Sequence, residues 1–210
     1  MRCKEAIVMT LNTKEKIFYT ALDLFSKKGF SGVSIREITR EVGIKESSLY
    51  NHFANKDEIL ESILTYFRSD FSKTLPPIEM LDAILQKSTV EEFLKAGHRN
   101  FKQFMEDENR VKMWRILQIE QFRSPLAREV ILEDLFKTTI HFLEIVFQKL
   151  IDLNKIRPYN PKTLAIEYQY PVFSLLTEYT ILKFDGKDTS EVETRLDNHI
   201  DFFLEIVTIK

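Results

Sequence analysis

The chain has 210 residues, 44% hydrophobic and 30% charged, which predicts a soluble globular protein with one sizeable core and a small satellite domain. A formal net charge of −2 argues against a histone-like coating of nucleic acid, and the single cysteine excludes an internal disulfide framework. No apolar run reaches the roughly 18 residues needed to cross a membrane.

The first ten residues, MRCKEAIVMT, are too short and too mixed in character for a signal peptide. They hold Cys3, and both Met1 and Met9 are candidate start residues. A lone cysteine without a Cys/His cluster fits a reducing compartment. We therefore predict a cytoplasmic protein without a bound metal or cofactor.

The first predicted helix covers Thr13 to Lys28 and ends at Gly29, with apolar residues spaced along one face. A second helix is expected to begin after Ser34, because Ser34 and Glu37 have the spacing of a capping box. Gly43 then ends this helix, since glycine enters the left-handed conformation of a tight turn without a Cβ penalty. The first helix is expected to brace the second and its neighbour.

A further helix is predicted near Glu46 to Phe53, with only Leu49 and Phe53 as clear apolar anchors. Its free face carries small polar groups and flat rings, which suit phosphates and base edges in a major groove. Those residues are Ser47, Ser48, Tyr50, Asn51 and His52. This helix-Gly-helix pattern indicates a DNA-binding helix-turn-helix, although a plain surface helix pair has the same spacing.

Asn55 and Glu58 have the spacing of another capping box, and Lys56 lies in the electropositive first turn, where a phosphate would bind favourably. This fourth helix continues towards the body. Together the segments predict a compact three-helix head.

Residues 13–64 closely resemble the TetR-type transcriptional regulators, through ALDLFSKKGFSGVSIREITREVGI and SSLYNHFANKDEIL. The resemblance implies that Ser34 and Arg36 touch the DNA backbone. It also implies that one group of residues faces bases or nearby phosphates and another clamps phosphates. The first group is Ser47, Ser48 and Asn51, and the second is Tyr50, His52 and Lys56. Lys45 departs from the Ser or Thr that often caps this helix in the family, so the cap is expected to be weaker and a further cation faces the DNA.

Residues 1–57 hold 10 basic and 7 acidic residues, whereas residues 58–210 hold 20 and 25. Affinity for DNA must therefore come from a locally basic head and a few placed phosphate contacts. We predict a DNA-binding domain over 1–57 and an effector-binding and dimerisation domain over 58–210.

Beyond the head the pattern stays helical and the prediction is an all-α fold, a helix-turn-helix head plus a helical bundle, with nine or ten helices in total. Pro76-Pro77 breaks the chain, and helices are expected at 78–86, 90–106 and 108–122. Ser124-Pro125 starts a long helix to about Leu153. Asn160-Pro161 starts another helix to about Phe184. Ser190 and Glu193 have the spacing of a capping box, which predicts a last helix to about Ile209.

The last two helices, near 161–184 and 190–209, have more apolar surface than one bundle face needs. By resemblance they form a four-helix interface between two subunits. A homodimer with two heads would read a pseudo-palindromic operator.

Pro171 lies inside the first of these two helices, where a kink is expected. The body is rich in aromatic rings, which are mostly plain core at helical spacing. We nevertheless take a subset with nearby polar groups as candidates for an effector pocket. They are Phe101, Phe104, Trp114, Gln118, Phe122, His141, Tyr168 and Tyr170.

Catalysis is not expected. The four histidines are scattered, none pairs with a second ligand at the spacing of H-E-x-x-H, and the G-x-S-x-G, P-loop and dinucleotide motifs are absent from the sequence.

The sequence therefore favours an effector-controlled regulator, most simply a repressor that a small molecule releases from DNA. One alternative is a DNA-binding regulator that is constitutive or controlled by a protein partner. Another is a helical adaptor that no longer binds DNA. The sequence does not reveal the operator, the regulated genes, the effector or the direction of regulation.

Overall fold

The computed structural model describes residues 11–209, so Cys3 and both candidate start residues lie outside the described part. Within it, the regular structure is helical apart from one isolated antiparallel bridge between Ile156 and Thr208. The predicted all-α fold is confirmed.

The helices are numbered in chain order, with one unbroken helical run, residues 125–152, counted as α8. They are α1 Thr13–Lys28, α2 Ile35–Val42, α3 Glu46–Leu49, α4 Lys56–Phe71, α5 Leu81–Lys87, α6 Val90–Glu106, α7 Glu108–Glu120, α8, α9 Pro161–Phe184 and α10 Ser190–Val207. Two short 3-10 turns, Ser72–Thr74 and Ile78–Met80, lie either side of the predicted proline break.

Helices with a local start signal begin where the sequence predicts. In α9, Asn160 accepts a hydrogen bond from the Thr163 N–H at 2.9 Å, with a proline in the first turn. In α8, the Ser124 hydroxyl accepts from the Ala127 N–H at 3.2 Å, again before a proline. A side-chain acceptor and a proline with fixed φ satisfy the unpaired groups of a first turn, which is why these signals fix the helix start.

Other boundaries differ from the prediction. Ser190 does not cap α10, because the N–H and the hydroxyl of Ser190 both donate to the Asp188 carboxylate. The Glu193 carboxylate instead accepts a hydrogen bond from the Thr189 hydroxyl at 2.9 Å. The segment at 78–86 begins as a 3-10 turn. Within α8, Val130–Thr138 is π-helical between two α-helical stretches, Pro125–Glu129 and Thr139–Asp152.

Pro171 lies inside α9 without ending it. Proline removes a hydrogen-bond donor from a helix interior, which weakens the backbone pairing around it. On α10, the His199 Nε2–H donates to the Tyr168 carbonyl at 2.9 Å, one turn before the proline. This bond joins α10 to the turn of α9 that precedes the proline.

The described residues divide into two compact units. Unit 1 comprises residues 11–71 and Glu106–Ile131, and it holds the helix-turn-helix together with α4, α7 and the start of α8. Its fully buried large side chains include Ile17, Phe25, Ile38, Leu49, Ile63, Phe67 and Trp114. The functional division into 1–57 and 58–210 stays a prediction.

Unit 2 comprises Ser72–Met105 and residues 132–209. Its apolar core is built from α5, α6, α9, α10 and the second half of α8. Central members are Leu85, Leu94, Phe147, Leu150, Leu164, Tyr168, Ile200 and Phe203. Among residues 11–209, no helix is long and apolar enough to cross a membrane.

Candidate nucleic-acid interface

The start of α2 is fixed by the Ser34 hydroxyl, which accepts a hydrogen bond from the Glu37 N–H at 3.1 Å. The Glu37 carboxylate binds the Lys28 ammonium on α1. That bond, more than the backbone N–H of Ser34, holds the pKa of Glu37 below its usual value. The Lys28–Glu37 ion pair therefore ties the first turn of α2 to the end of α1.

The turn after α2 has the hydrogen bonds of a Schellman motif. Gly43 takes the left-handed conformation, with φ of 78° and ψ of 35°. The Ile44 N–H donates to the Thr39 carbonyl at 3.0 Å, and the Gly43 N–H also reaches the Arg40 carbonyl at 3.3 Å. The predicted glycine turn is confirmed.

The next helix, α3, is shorter than predicted, because its α-helical part ends at Leu49 and turns carry the chain to Phe53. Lys45 at its N-cap makes no side-chain cap hydrogen bond, which leaves the start of this helix weakly held. Leu49 and Phe53 are both buried and hold the segment against the core of unit 1. The predicted anchors are confirmed although the predicted length is not.

The polar face of this segment is open to solvent. Ser47, Tyr50 and Asn51 are exposed, and their spacing of three and four residues places them on one side of a helical turn. The Tyr50 ring retains 51% of its accessible surface. Ser48 and His52 are partly covered.

Two of the predicted contact residues are unpaired cations. Arg36 and Lys45 are exposed, and neither makes an ion pair or side-chain hydrogen bond within residues 11–209. Ser34 is exposed beside Arg36, although its hydroxyl is engaged in the cap. An unpaired, hydrated cation can bind phosphate without first breaking an internal ion pair.

Lys56 is placed differently from these two cations. Its half-buried ammonium donates to the Phe30 carbonyl at 2.9 Å and to the Val33 carbonyl at 2.7 Å, and it lies 4.1 Å from the centre of the Phe30 ring. Lys56 thus closes the loop between α1 and α2. Its role as a phosphate clamp stays a prediction, with at most one N–H left for that purpose.

A buried acid that sequence patterns did not reveal holds the same loop from the other side. Glu120, at the end of α7, is 1% exposed, and its Oε1 accepts a hydrogen bond from the Phe30 N–H at 2.9 Å. The two residues are 90 positions apart, so no local pattern signals the contact.

The residues predicted to line an effector pocket are divided between the two units, and their role stays a prediction. In unit 1, Trp114 is buried with its ring 6.3 Å from that of Phe67, Gln118 is partly buried, and Phe122 is 85% exposed.

The remaining members of that set lie in unit 2. Tyr168 is buried in its core, whereas His141 and Tyr170 are exposed. Phe104 is buried with its ring 6.1 Å from that of Phe101. Phe101 lines a cavity with His98 and Leu176, but its volume of about 20 Å³ holds little more than a water molecule. Within the described residues, no three metal-binding side chains are grouped.

The head region matches a known family of bacterial proteins. Residues 17–63 match the family model described as "Bacterial regulatory proteins, tetR family". The "Probable HTH-type transcriptional regulator YttP" of Bacillus subtilis is 34% identical over 87 residues, 41% of each chain. The negative regulator of the biofilm operon icaADBC, IcaR of Staphylococcus epidermidis, is 43% identical over 58 residues, 26% of this chain and 31% of the relative. The matches thus span less than half the length of these relatives.

Among solved structures, a TetR-family regulator from Mesorhizobium loti superposes with a TM-score of 0.65 at 22% identity, over 94% of this chain and 97% of the other. SmeT, the repressor of the Stenotrophomonas maltophilia multidrug efflux pump SmeDEF, does so with a TM-score of 0.65 at 20% identity, over 96% and 93%. These likenesses extend the shared fold beyond the head. The relatives are transcriptional regulators and not enzymes. Residues 17–63 thus match the TetR family model, as the sequence predicted, and the superpositions show that the described chain shares the fold of TetR-family regulators.

Proposed function

We propose that the protein is a transcriptional repressor that binds a pseudo-palindromic operator as a homodimer and is released by a small-molecule effector. The observation that carries the DNA-binding part is the exposed polar face formed by Ser47, Tyr50 and Asn51, together with the exposed cations Arg36 and Lys45, which have no ion pair within residues 11–209. Polar side chains on a helix held by a tight glycine turn read base edges, and the flanking cations bind phosphates.

The homodimer is supported by exposed apolar side chains on the last two helices. On α9, Ile181 and Phe184 are 59% and 55% exposed, and on α10 Phe202 is 60% exposed. Large apolar groups that recur on two consecutive helices favour a self-complementary interface with a second copy. A two-fold axis would then present two heads to inverted half-sites about one helical turn apart.

Release by an effector is supported by the protein's relatives. SmeT has been solved as a complex with triclosan, and in that protein the shared fold therefore holds a small molecule. For the present chain, an effector must bind the DNA-free conformation more tightly than the DNA-bound one. The proposed direction, repression, is supported by IcaR, which is a negative regulator, and by SmeT, which is a repressor.

The first test selects bound sequences from random DNA duplexes with the full-length protein. We expect an inverted repeat. Asn51→Ala should weaken binding of the selected duplex about tenfold or more and relax the preference at one position of each half-site. Arg36→Ala should weaken all sequences alike and reduce the salt dependence by about one ion.

Lys162→Ala is the matched control for the cation, because Lys162 is exposed on α9 without an ion pair in the described residues. If Arg36→Ala and Asn51→Ala both bind the selected duplex like the control, the helix-turn-helix does not read DNA. If the protein selects no duplex at all, the adaptor alternative stands. A selected duplex without inverted symmetry would instead contradict the two-headed arrangement.

The dimer has its own test. Phe202→Glu places a charge on the proposed interface and should shift the protein to a monomer in sedimentation equilibrium. Ile78→Glu is the control, since Ile78 is 46% exposed outside the last two helices. A dimer that survives Phe202→Glu and Ile181→Glu together would refute this interface. A regulator without an effector would keep its DNA affinity under all small molecules tested.

A further inference from the structure

A cleft of about 510 Å³ lies wholly within unit 1, and neither Tyr50 nor Asn51 lines it. Its walls come from the loop between α1 and α2, from α4, and from the end of α7 with the start of α8. Phe30, Leu60 and Leu126 give it apolar surface. Its volume falls within the range of small-molecule sites.

The charged groups of the cleft are mostly acidic. Asp57, Glu61, Glu120 and Glu129 line it, against the single cation Arg123. Glu129 is already paired, since its Oε1 lies 2.9 Å from an Arg68 guanidinium nitrogen. Asp57 and Glu61 have no ion pair or side-chain hydrogen bond within residues 11–209.

Glu120 is the most unusual of these acids because it is almost fully buried, at 1% exposure. Its Oε1 accepts the Phe30 N–H, while its Oε2 accepts no hydrogen bond from the described part of the chain. A buried carboxylate is costly to maintain unless a donor or a cation satisfies it. A donor or a cation that pairs with Oε2 would bind in the cleft that Glu120 lines.

We propose that this cleft binds an organic cation with an apolar body, whose charged group is bound by the buried Glu120 carboxylate. The apolar walls would contact the body of the ligand, and Asp57 and Glu61 would attract its charge from the mouth. An anionic ligand is disfavoured by the same carboxylates, because only Arg123 would offset them.

The position of Glu120 links this cleft to the helix-turn-helix. Phe30, which its Oε1 holds, precedes the Ser34 cap of α2 by four residues, and Lys56 holds the Phe30 and Val33 carbonyls from α4. A cation at Oε2 draws the carboxylate away from the Phe30 N–H and loosens this loop. That consequence rests on the proposed function, since it makes the cleft the site through which an effector weakens DNA binding.

The test uses two probes of the same shape and opposite charge, tetraphenylphosphonium and tetraphenylborate, titrated into the full-length protein without DNA in potassium-free buffer. Calorimetry should show one tetraphenylphosphonium per chain and no comparable site for tetraphenylborate. Glu120→Gln keeps an acceptor for Phe30 and removes the charge, so it should lower the affinity at least tenfold. Glu61→Gln should lower it a few-fold.

Glu205→Gln is the matched control, because Glu205 is exposed on α10 outside the cleft, and it should bind the probe like the original protein. Thermal unfolding checks that each variant is folded. If Glu120→Gln does not fold, the affinity of Glu61→Gln for the cation still tests the proposal. Equal binding of both probes, no binding of the cation, or unchanged affinity in both variants would overturn the proposal. If the cation binds but leaves the affinity for the selected duplex unchanged, the link to the helix-turn-helix is refuted while the site stands. Failure of the proposed function would appear separately, because the protein would then select no duplex in the selection experiment.

Discussion

Replacing Lys56 by methionine tests whether this lysine supports the head or only contacts DNA. Methionine keeps an apolar stem of similar length and removes the ammonium. The change therefore deprives the Phe30 and Val33 carbonyls of their donor, at 2.9 and 2.7 Å, and removes the cation 4.1 Å from the Phe30 ring.

These contacts set the expected loss in the free energy of unfolding. A hydrogen bond to a charged group contributes about 1.5–3 kcal/mol, and a cation over an aromatic ring about 0.5–1 kcal/mol at an exposed site. Lys56 is half-buried, so water replaces part of what is lost. We expect a loss of about 2–4 kcal/mol in the free energy of unfolding, or roughly 5–15 °C in Tm.

The assay is urea and thermal unfolding of the full chain without DNA, followed by circular dichroism, with hydrogen exchange of the Phe30 to Ser34 amides as a local probe. Lys162→Met is the control and should stay within about 0.5 kcal/mol, because an exposed surface substitution removes no structural contact. A Lys56→Met protein as stable as this control, with unchanged exchange at the loop, would refute the reasoning. It would also favour the role of Lys56 as a phosphate clamp.

Four further substitutions have an expected effect on the free energy of unfolding. Gly97→Ala should stabilise by about 0.5–1 kcal/mol, because Gly97 lies inside α6 with nothing within 4 Å of an added Cβ, whereas Gly32→Ala should destabilise by more than this, since its Cβ would lie 2.5 Å from the Lys28 carbonyl oxygen. Urea unfolding measures both, and equal effects would contradict the argument. Burial lowers the pKa of His98 below 6.5, against the opposing charge of Asp197. The unfolded chain then binds a proton more readily, so stability is full above about pH 7.5 and is lost as the pH falls through 6.5, and His98→Asn should flatten this limb of a pH–stability curve. Asp23→Asn should flatten the curve below about pH 4, because hydrogen bonds from Lys27 and Lys112 outweigh burial and hold the pKa of Asp23 below 3.8, a contribution that is present above that pH and lost as the pH falls. In either titration, identical curves for variant and original protein would contradict the assignment.

The parts of the fold that the sequence predicted are those set by neighbouring residues. Ser34, Gly43 and Asn160 each act within four or five positions, through a cap or a left-handed turn, and each is found in its predicted role. The failed cap at Ser190 shows the limit of this reasoning. Asp188, two residues earlier, is a stronger acceptor and takes the Ser190 hydroxyl and N–H.

The helix lengths and the surroundings of the aromatic residues were harder to predict because they depend on distant packing. The spacing of aromatic residues indicates which helix face is apolar, but not which other helix covers it. Trp114 and Tyr168 have similar local patterns and belong to the cores of different units, and Phe122 follows one of those patterns yet is exposed.

Glu120 and Lys56 show why contacts between distant elements could not be predicted from the sequence. Each is a charged residue in a helix where solvation is the ordinary expectation, and each is instead used to hold the same loop residue, Phe30, through its N–H and its carbonyl. The position of the loop therefore depends on two side chains, one from α7 and one from α4. A loop held in this way can be displaced by changing one charge. That property makes the segment before Ser34 a suitable point of control, because α2 begins there and the Gly43 turn at its other end leads into α3.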